Sequence, residues 1–162
     1  MAIVFHERTE EFHLYNRKIS YIMKLLPDRS VGQLYYGKRI RDREDYGHML
    51  EYAVRDMAPC PFEGDNTFSR EHVRLEYPVY GTGDMRYPAY SITCGNGSRI
   101  TGFTYTGHRI FAGKKPLEGL PATYVEEDGE ACSLELYLED SLIRVRLVLS
   151  YTTVSYTHLR AH

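Results

Sequence analysis

Cysteine is scarce in this sequence and never paired: Cys60, Cys94 and Cys132 are odd in number, widely spaced and without any C-x-x-C. That pattern argues against a disulfide framework and against a zinc site, and it fits a reducing cytoplasm. No apolar run approaches the about 18 residues of a membrane span. The start, "MAIVFHERTEEF", lacks the apolar stretch of about 7–15 residues and the small-residue cleavage site of a secretory leader. The chain therefore reads as soluble and unexported, with no membrane partner. An excess of one charge is missing as well, because 20 Lys and Arg are interspersed with 22 Asp and Glu for a net charge of −2. Such a balance argues against a nucleic-acid partner. The one basic run, "GKRIRDRED" (Gly37 to Asp45), carries its own acids and reads as a solvated strand end.

The usual carriers of chemistry are also absent. The seven histidines never form H-x-H or H-E-x-x-H, so no metal is expected and the histidines read as solvated strand or loop residues. "YGTGDM" lacks the lysine and helix of a phosphate loop, and "CGNGSRI" reads as a hairpin turn. No cofactor is expected. Glycoside hydrolysis needs two carboxylates about 5–10 Å apart. The local candidates are Glu63 and Asp65 in "CPFEGDNTFS" and Asp84 in "YGTGDM", all on loops where carboxylates are usually solvated or cap turns.

What is present is alternation. With 162 residues and 43 % hydrophobic content, the chain is the size of one domain with a proper core. "CSLELYLEDSLIRVRLVLSYT" (Cys132 to Thr152) alternates on both sides of Asp140-Ser141, which predicts a β-hairpin. Setting Glu139 against Leu142 pairs Leu138 with Ile143, Leu136 with Val145 and Leu134 with Leu147, and matches Glu135 with Arg146. A second hairpin in "FHLYNRKISY", turning at Asn16-Arg17, puts Leu14 opposite Ile19 and Phe12 opposite Tyr21. Further strands are expected in "AIVF", "KISYIMKLL", "GQLYYGKRI", "HVRLEYP", "AYSITC", "RITGFTYTGHRIF" and "ATYVEE". The predicted fold is all-β, an antiparallel sandwich with at most one short helix, within "EDYGHMLEYAV".

The stretch "EYPVYGTGDMRYPAY" (Glu76 to Tyr90) is rich in rings and poor in aliphatics. Pro78 and Pro88 fix φ and remove donors while Gly81 and Gly83 allow positive φ, so its interior is a long turn between extended arms. Its tyrosines can fasten a loop to a sheet, meet another subunit, or stack on sugar. In the last reading Tyr77, Tyr80, Tyr87 and Tyr90 form the platform of a freestanding carbohydrate-binding module.

"NTFSREHVRLEYPVYGTGDMRYPAY" and "GSRITGFTYTGHRIFAGKKPLEGLPATYVEEDGEACSLELYLED" closely resemble the amino-terminal β domain of bacterial α-galactosidases of glycoside hydrolase family 36. "EFHLYNRKISYIMKLL" and "GQLYYGKRIRDRED" fit the same pattern, so the resemblance runs from Ile3 to Thr152. It implies a β-supersandwich ahead of a (β/α)₈ barrel whose two aspartates cleave terminal α-galactosides, of the melibiose and raffinose type, with retention. This segment then serves domain packing, oligomer formation and shaping of the active-site entrance, and has no catalytic residue of its own.

In tetrameric members the loop before "TFS" reaches into a neighbouring subunit's active-site mouth. Carried onto this chain, that implies substrate contacts at Asp65, Asn66 and Arg55, with the barrel, a second subunit and α-galactoside oligosaccharides as partners. Members with direct sugar contacts there carry Arg where this chain has Asn66 and Asp where it has Val54. The closing "VSYTHLRAH" departs from the family after "LSYT". The organisation expected is an incomplete sandwich domain over residues 1–153 and a non-native tail over 154–162.

Overall fold

The computed structural model describes residues 1–116, 119, 125, 127–155 and 159–161. Eight strands form two antiparallel meanders. The first contains β1 (Ala2–His6), β2 (Glu11–Tyr15), β3 (Ile19–Leu25) and β4 (Val31–Lys38), in that spatial order. The second contains β5 (Thr104–Ala112), β6 (Ala131–Asp140), β7 (Val145–Val154) and β8 (Leu159–Ala161), again in sequence order. Helical structure among the described residues is limited to single 3₁₀ turns, one of them, Gly47–Met49, inside the segment where a short helix is expected.

Alternation on the strands builds the sandwich. The inner face of the first sheet contributes Ile3, Phe12, Leu14, Tyr21, Met23 and Val31, and the second sheet answers with Leu134, Leu136, Leu138 and Tyr151. A bulge between Tyr105 and Gly107 turns both Tyr105 and His108 inward, opposite Leu138 and Leu136. His108 then packs on Phe5 and Phe12, with ring centroids 4.5 and 5.0 Å away. Val79 and Tyr77 of the tyrosine-rich segment close the same core.

Both hairpins exist, but neither has the expected register. β6 and β7 pair Glu139 with Arg146, Leu138 with Leu147, Leu136 with Leu149 and Leu134 with Tyr151, so Glu135 meets Ser150 rather than Arg146. The shift is four residues, an even number, so every leucine keeps its face. Asp140 is the cause: its carboxylate accepts the N–H groups of Leu142 and Ile143, at 2.9 and 3.2 Å, and holds residues 141–144 as a loop. Asn16 acts the same way in the first sheet. Its side-chain oxygen accepts the N–H groups of Lys18 and Ile19, lengthening the turn so that Leu14 faces Tyr21 and Phe12 faces Met23.

Two expected strands do not form. "HVRLEYP" keeps one bridge, Leu75 to Gly32, flanked by Gln33 N–H donating to Arg74 and Glu76 N–H donating to Val31. "AYSITC" is irregular, with Pro88 just before it and a turn at Cys94 to Ser98 just after. "ATYVEE" lies almost wholly outside the described residues. In the segment read as a tail, Val154 is buried at the end of β7, and the backbone of β8 pairs with Tyr151 to Thr153.

Candidate functional site

The expected contact residues sit on one excursion between the 3₁₀ turn at Gly47–Met49 and Phe68. Its base is fastened: Ala53 N–H donates to His72 O at 2.8 Å, the Ser69 hydroxyl donates to Pro59 O at 2.8 Å, and Leu26, Phe68 and Val73 form a small core beneath it. Its far part projects, with Arg55 and Asn66 exposed and Met57 at 100 % exposure in a left-handed turn (φ 60°). Asp65 is the exception, because its Oδ1 is occupied locally. It accepts both the N–H and the hydroxyl of Thr67, at 2.7 and 2.6 Å, and these bonds hold its carboxyl below the ordinary carboxylate value. Asp65 also acts on Tyr52, whose hydroxyl lies 3.4 Å from Nδ1 of buried His72. The excursion exposes Tyr52, Val54, Met57 and Phe62 among the charged and polar residues Arg55, Asp56, Glu63 and Asn66.

The tyrosine-rich segment does not present four rings to solvent. Tyr77 is only 5 % exposed in the core between the sheets, and Tyr90 is tied down by a 3.0 Å bond to Thr101 and an edge contact with Phe103. Tyr80 and Tyr87 alone project, Tyr87 at 93 % exposure. The platform of Tyr77, Tyr80, Tyr87 and Tyr90 is therefore corrected: residues 77 and 90 belong to the extended arms that seal the core, and residues 80 and 87 to the turn between them. The two free rings flank a cleft of about 500 Å³ with Met85 and Ile100.

Asp84 is also reassigned. It is buried, and its carboxylate accepts Nε and Nη2 of Arg86 at 2.8 and 2.9 Å. Arg86 in turn donates to Val73 O and Arg70 O, so Asp84 clamps the loop rather than waiting for a substrate. Glu63 is exposed on the excursion.

The densest titratable cluster was hidden from sequence reasoning, which placed its histidines and the 37–45 run in solvent. Arg39 to Asp45 instead covers the outer face of the first sheet, where Arg39 lies 3.8 Å over the Tyr15 ring. Asp42 Oδ1 accepts Nδ1–H of His13 at 2.6 Å and Nε2–H of His6 at 3.2 Å, and the Tyr46 hydroxyl lies 3.2 Å away. His13 Nε2 accepts the Ser20 hydroxyl at 2.9 Å. Burial lowers the His13 pKa and outweighs Asp42, which pulls the other way.

Serine, histidine and aspartate are thus in the order of a hydrolytic triad, but His13 and Ser20 are both wholly buried. Ser20 Oγ additionally accepts Ile40 N–H at 3.1 Å, so the trio holds the segment down and cannot meet a substrate. Among the described residues no group of three His, Cys, Asp or Glu is arranged to hold a metal. No helix there is long and apolar enough to cross a membrane.

The fold and this surface define a β-sandwich domain with a projecting arm and no accessible acid–base pair among the residues singled out. Residues 29–159 match the family model described as the glycosyl hydrolase family 36 N-terminal domain, and the chain belongs to that family. It is 41 % identical to α-galactosidase AgaA of Geobacillus stearothermophilus over 152 residues, covering 94 % of this chain and 21 % of that protein. Over 153 residues it is 32 % identical to α-galactosidase Mel36A of Lactobacillus acidophilus, covering 93 % of this chain and 20 % of the relative. The crystal structure of the family 36 α-galactosidase AgaB of G. stearothermophilus superposes with a TM-score of 0.89 at 40 % identity, over 99 % of this chain and 22 % of that one. The chain therefore spans about a fifth of the length of the relatives it matches.

Proposed function

We propose that this chain is the amino-terminal sandwich part of an α-galactosidase that hydrolyses terminal α-galactosides, of the melibiose and raffinose type, with retention. Its role there is to pack against the catalytic barrel, to build the oligomer and to shape the active-site entrance. The observation that carries this reading is the family match over residues 29–159, joined to a fold that superposes on AgaB with a TM-score of 0.89. Substrate class follows the relatives, one of which, an AgaA variant, was crystallised with raffinose.

Within that role Arg55, Asp65 and Asn66 border a neighbouring subunit's pocket. The exposed Val54, Met57 and Phe62 suit them to that position, because solvent-exposed apolar side chains on a fastened arm gain from a protein surface. A tetramer in the cytoplasm, working without cofactor or metal, completes the proposal.

A chimera tests it. This chain replaces the aligned fifth of AgaA, and hydrolysis of an aryl α-galactoside is measured beside the oligomeric state. Activity within about tenfold of AgaA in an assembled oligomer is the expected result. A folded, assembled chimera without turnover overturns the reading.

A further inference from the structure

Glu76 is a half-buried carboxyl whose side-chain hydrogen-bond partners are two neutral tyrosine hydroxyls. It opens the tyrosine-rich segment, where its backbone N–H donates to Val31 of β4, and its side chain turns into the seam between the sheets. The Tyr21 hydroxyl on β3 donates to Oε1, and the Tyr151 hydroxyl on β7 donates to Oε2 at 2.5 Å. One carboxyl is thus shared by a tyrosine from each sheet. Gln33 of β4 donates to the Tyr21 hydroxyl at 3.2 Å, which leaves the hydroxyl's own hydrogen for Glu76. The other titratable groups facing the trio are Tyr36, whose ring meets Tyr21 edge-on, and Tyr77, which acts on Tyr151. No ion pair among the described residues involves Glu76.

We propose that Tyr21, Glu76 and Tyr151 form a proton-dependent latch between the two sheets, closed most firmly when Glu76 carries its proton. Loss of the proton leaves a buried anion held only by neutral hydroxyls. Two such donors favour the charged form, but desolvation without a cation outweighs them.

The carboxyl is accordingly raised above its ordinary value, first by burial and against the two tyrosine hydrogen bonds. For an acid raised in the folded state, the stabilisation is complete below the unfolded value and is lost as pH rises through the folded one. The latch therefore weakens on the alkaline side.

Urea unfolding of the full chain from pH 5 to 8.5, on wild type and Glu76→Gln, reads the effect. Relative to Glu76→Gln, wild type should lose stability toward high pH, with the ratio of the two unfolding constants rising by up to about tenfold per pH unit for one proton. Glu76→Gln, a neutral isostere, should lack that slope. Carbon-detected NMR of wild-type glutamate carboxyls supplies a second reading that does not depend on how the variant folds, and in it one carboxyl should titrate above the ordinary range. Equal slopes in the two proteins, or a set of glutamates that all titrate in the ordinary range, overturns the latch.

Discussion

The carboxylate of Asp140 accepts the backbone N–H of Leu142 at 2.9 Å, and that bond decides where β6 gives way to β7. Asp140 is buried, takes Ile143 N–H as well, and reaches across to Gly102 N–H at 2.7 Å. Burial alone would raise its pKa, but these three donors outweigh burial and hold the carboxyl below its ordinary value. Asp140→Ala removes the acceptor for all three and should destabilise the domain by about 2 kcal/mol. The pH dependence has the usual carboxylate sign: the stabilisation is present above the unfolded value and is lost as pH falls through the folded one. Urea midpoints of wild type and variant at pH 7 and pH 3 check this, and the difference between the two proteins should shrink at the lower pH.

Burial of His13 sets a separate acid limit. Its pKa is lowered in the folded state, so folding favours the neutral ring and the contribution is present above about pH 6.5. It is lost as pH falls below that value, because the unfolded chain then binds a proton that the folded one refuses. Its two ring nitrogens are both engaged, Nε2 by the Ser20 hydroxyl and Nδ1 by Asp42. His13→Gln should cost about 1–3 kcal/mol at neutral pH and remove the part of the acid slope that lies between pH 6.5 and 5. Histidine NMR on wild type should find the His13 ring titrating below 6.5. A ring protonated at pH 6.5 would sink the assignment.

Tyr77 and Tyr87 answer the same question from a buried and an exposed position. The Tyr77 hydroxyl is buried beside the Val31 backbone without a well-formed hydrogen bond among the described residues, so Tyr77→Phe should change stability by no more than about 1 kcal/mol. Tyr87, nearly fully exposed, should tolerate Ala within about 0.5 kcal/mol. Neither variant should alter the response to melibiose followed by tyrosine fluorescence, because wild type itself should give none. A saturable signal abolished in Tyr87→Ala would revive the carbohydrate-binding reading.

Strand character was legible wherever alternation carried it. Leu134, Leu136 and Leu138 share a face because the period of a strand is two, and no turn can change that parity without an odd slip. Register was not legible, because one side chain per hairpin sets it: Asp140 and Asn16 cap their own turns and add residues that pairing rules do not count. The two clusters behind the sheets were invisible for another reason. His13 and Asp42 are 29 residues apart, and Glu76 and Tyr151 are 75 apart, so only the closed sandwich brings them together. Asp84 caps its own turn by accepting Arg86 N–H at 3.0 Å, as a loop carboxylate is expected to, but the anchoring of the Arg86 side chain on Val73 and Arg70 was not legible. The projecting excursion was found through resemblance alone, since its composition does not distinguish an arm from any surface loop.

By itself the chain should hydrolyse no α-galactoside. Retaining hydrolysis needs a nucleophile and an acid about 5–5.5 Å apart around a sugar pocket. Asp84 is locked in its pair with Arg86, and Asp65 has Oδ1 engaged by Thr67 and a carboxyl held down, the wrong direction for a general acid. Glu63 is exposed on the arm. The purified chain, assayed with an activated aryl α-galactoside, should give only the buffer rate. In the AgaA chimera described above, Asp65→Asn and Asn66→Ala should change KM or the oligomeric state while leaving kcat within about threefold. A turnover of the isolated chain that survives repurification and disappears in Asp65→Asn would make the arm itself catalytic and the barrel dispensable.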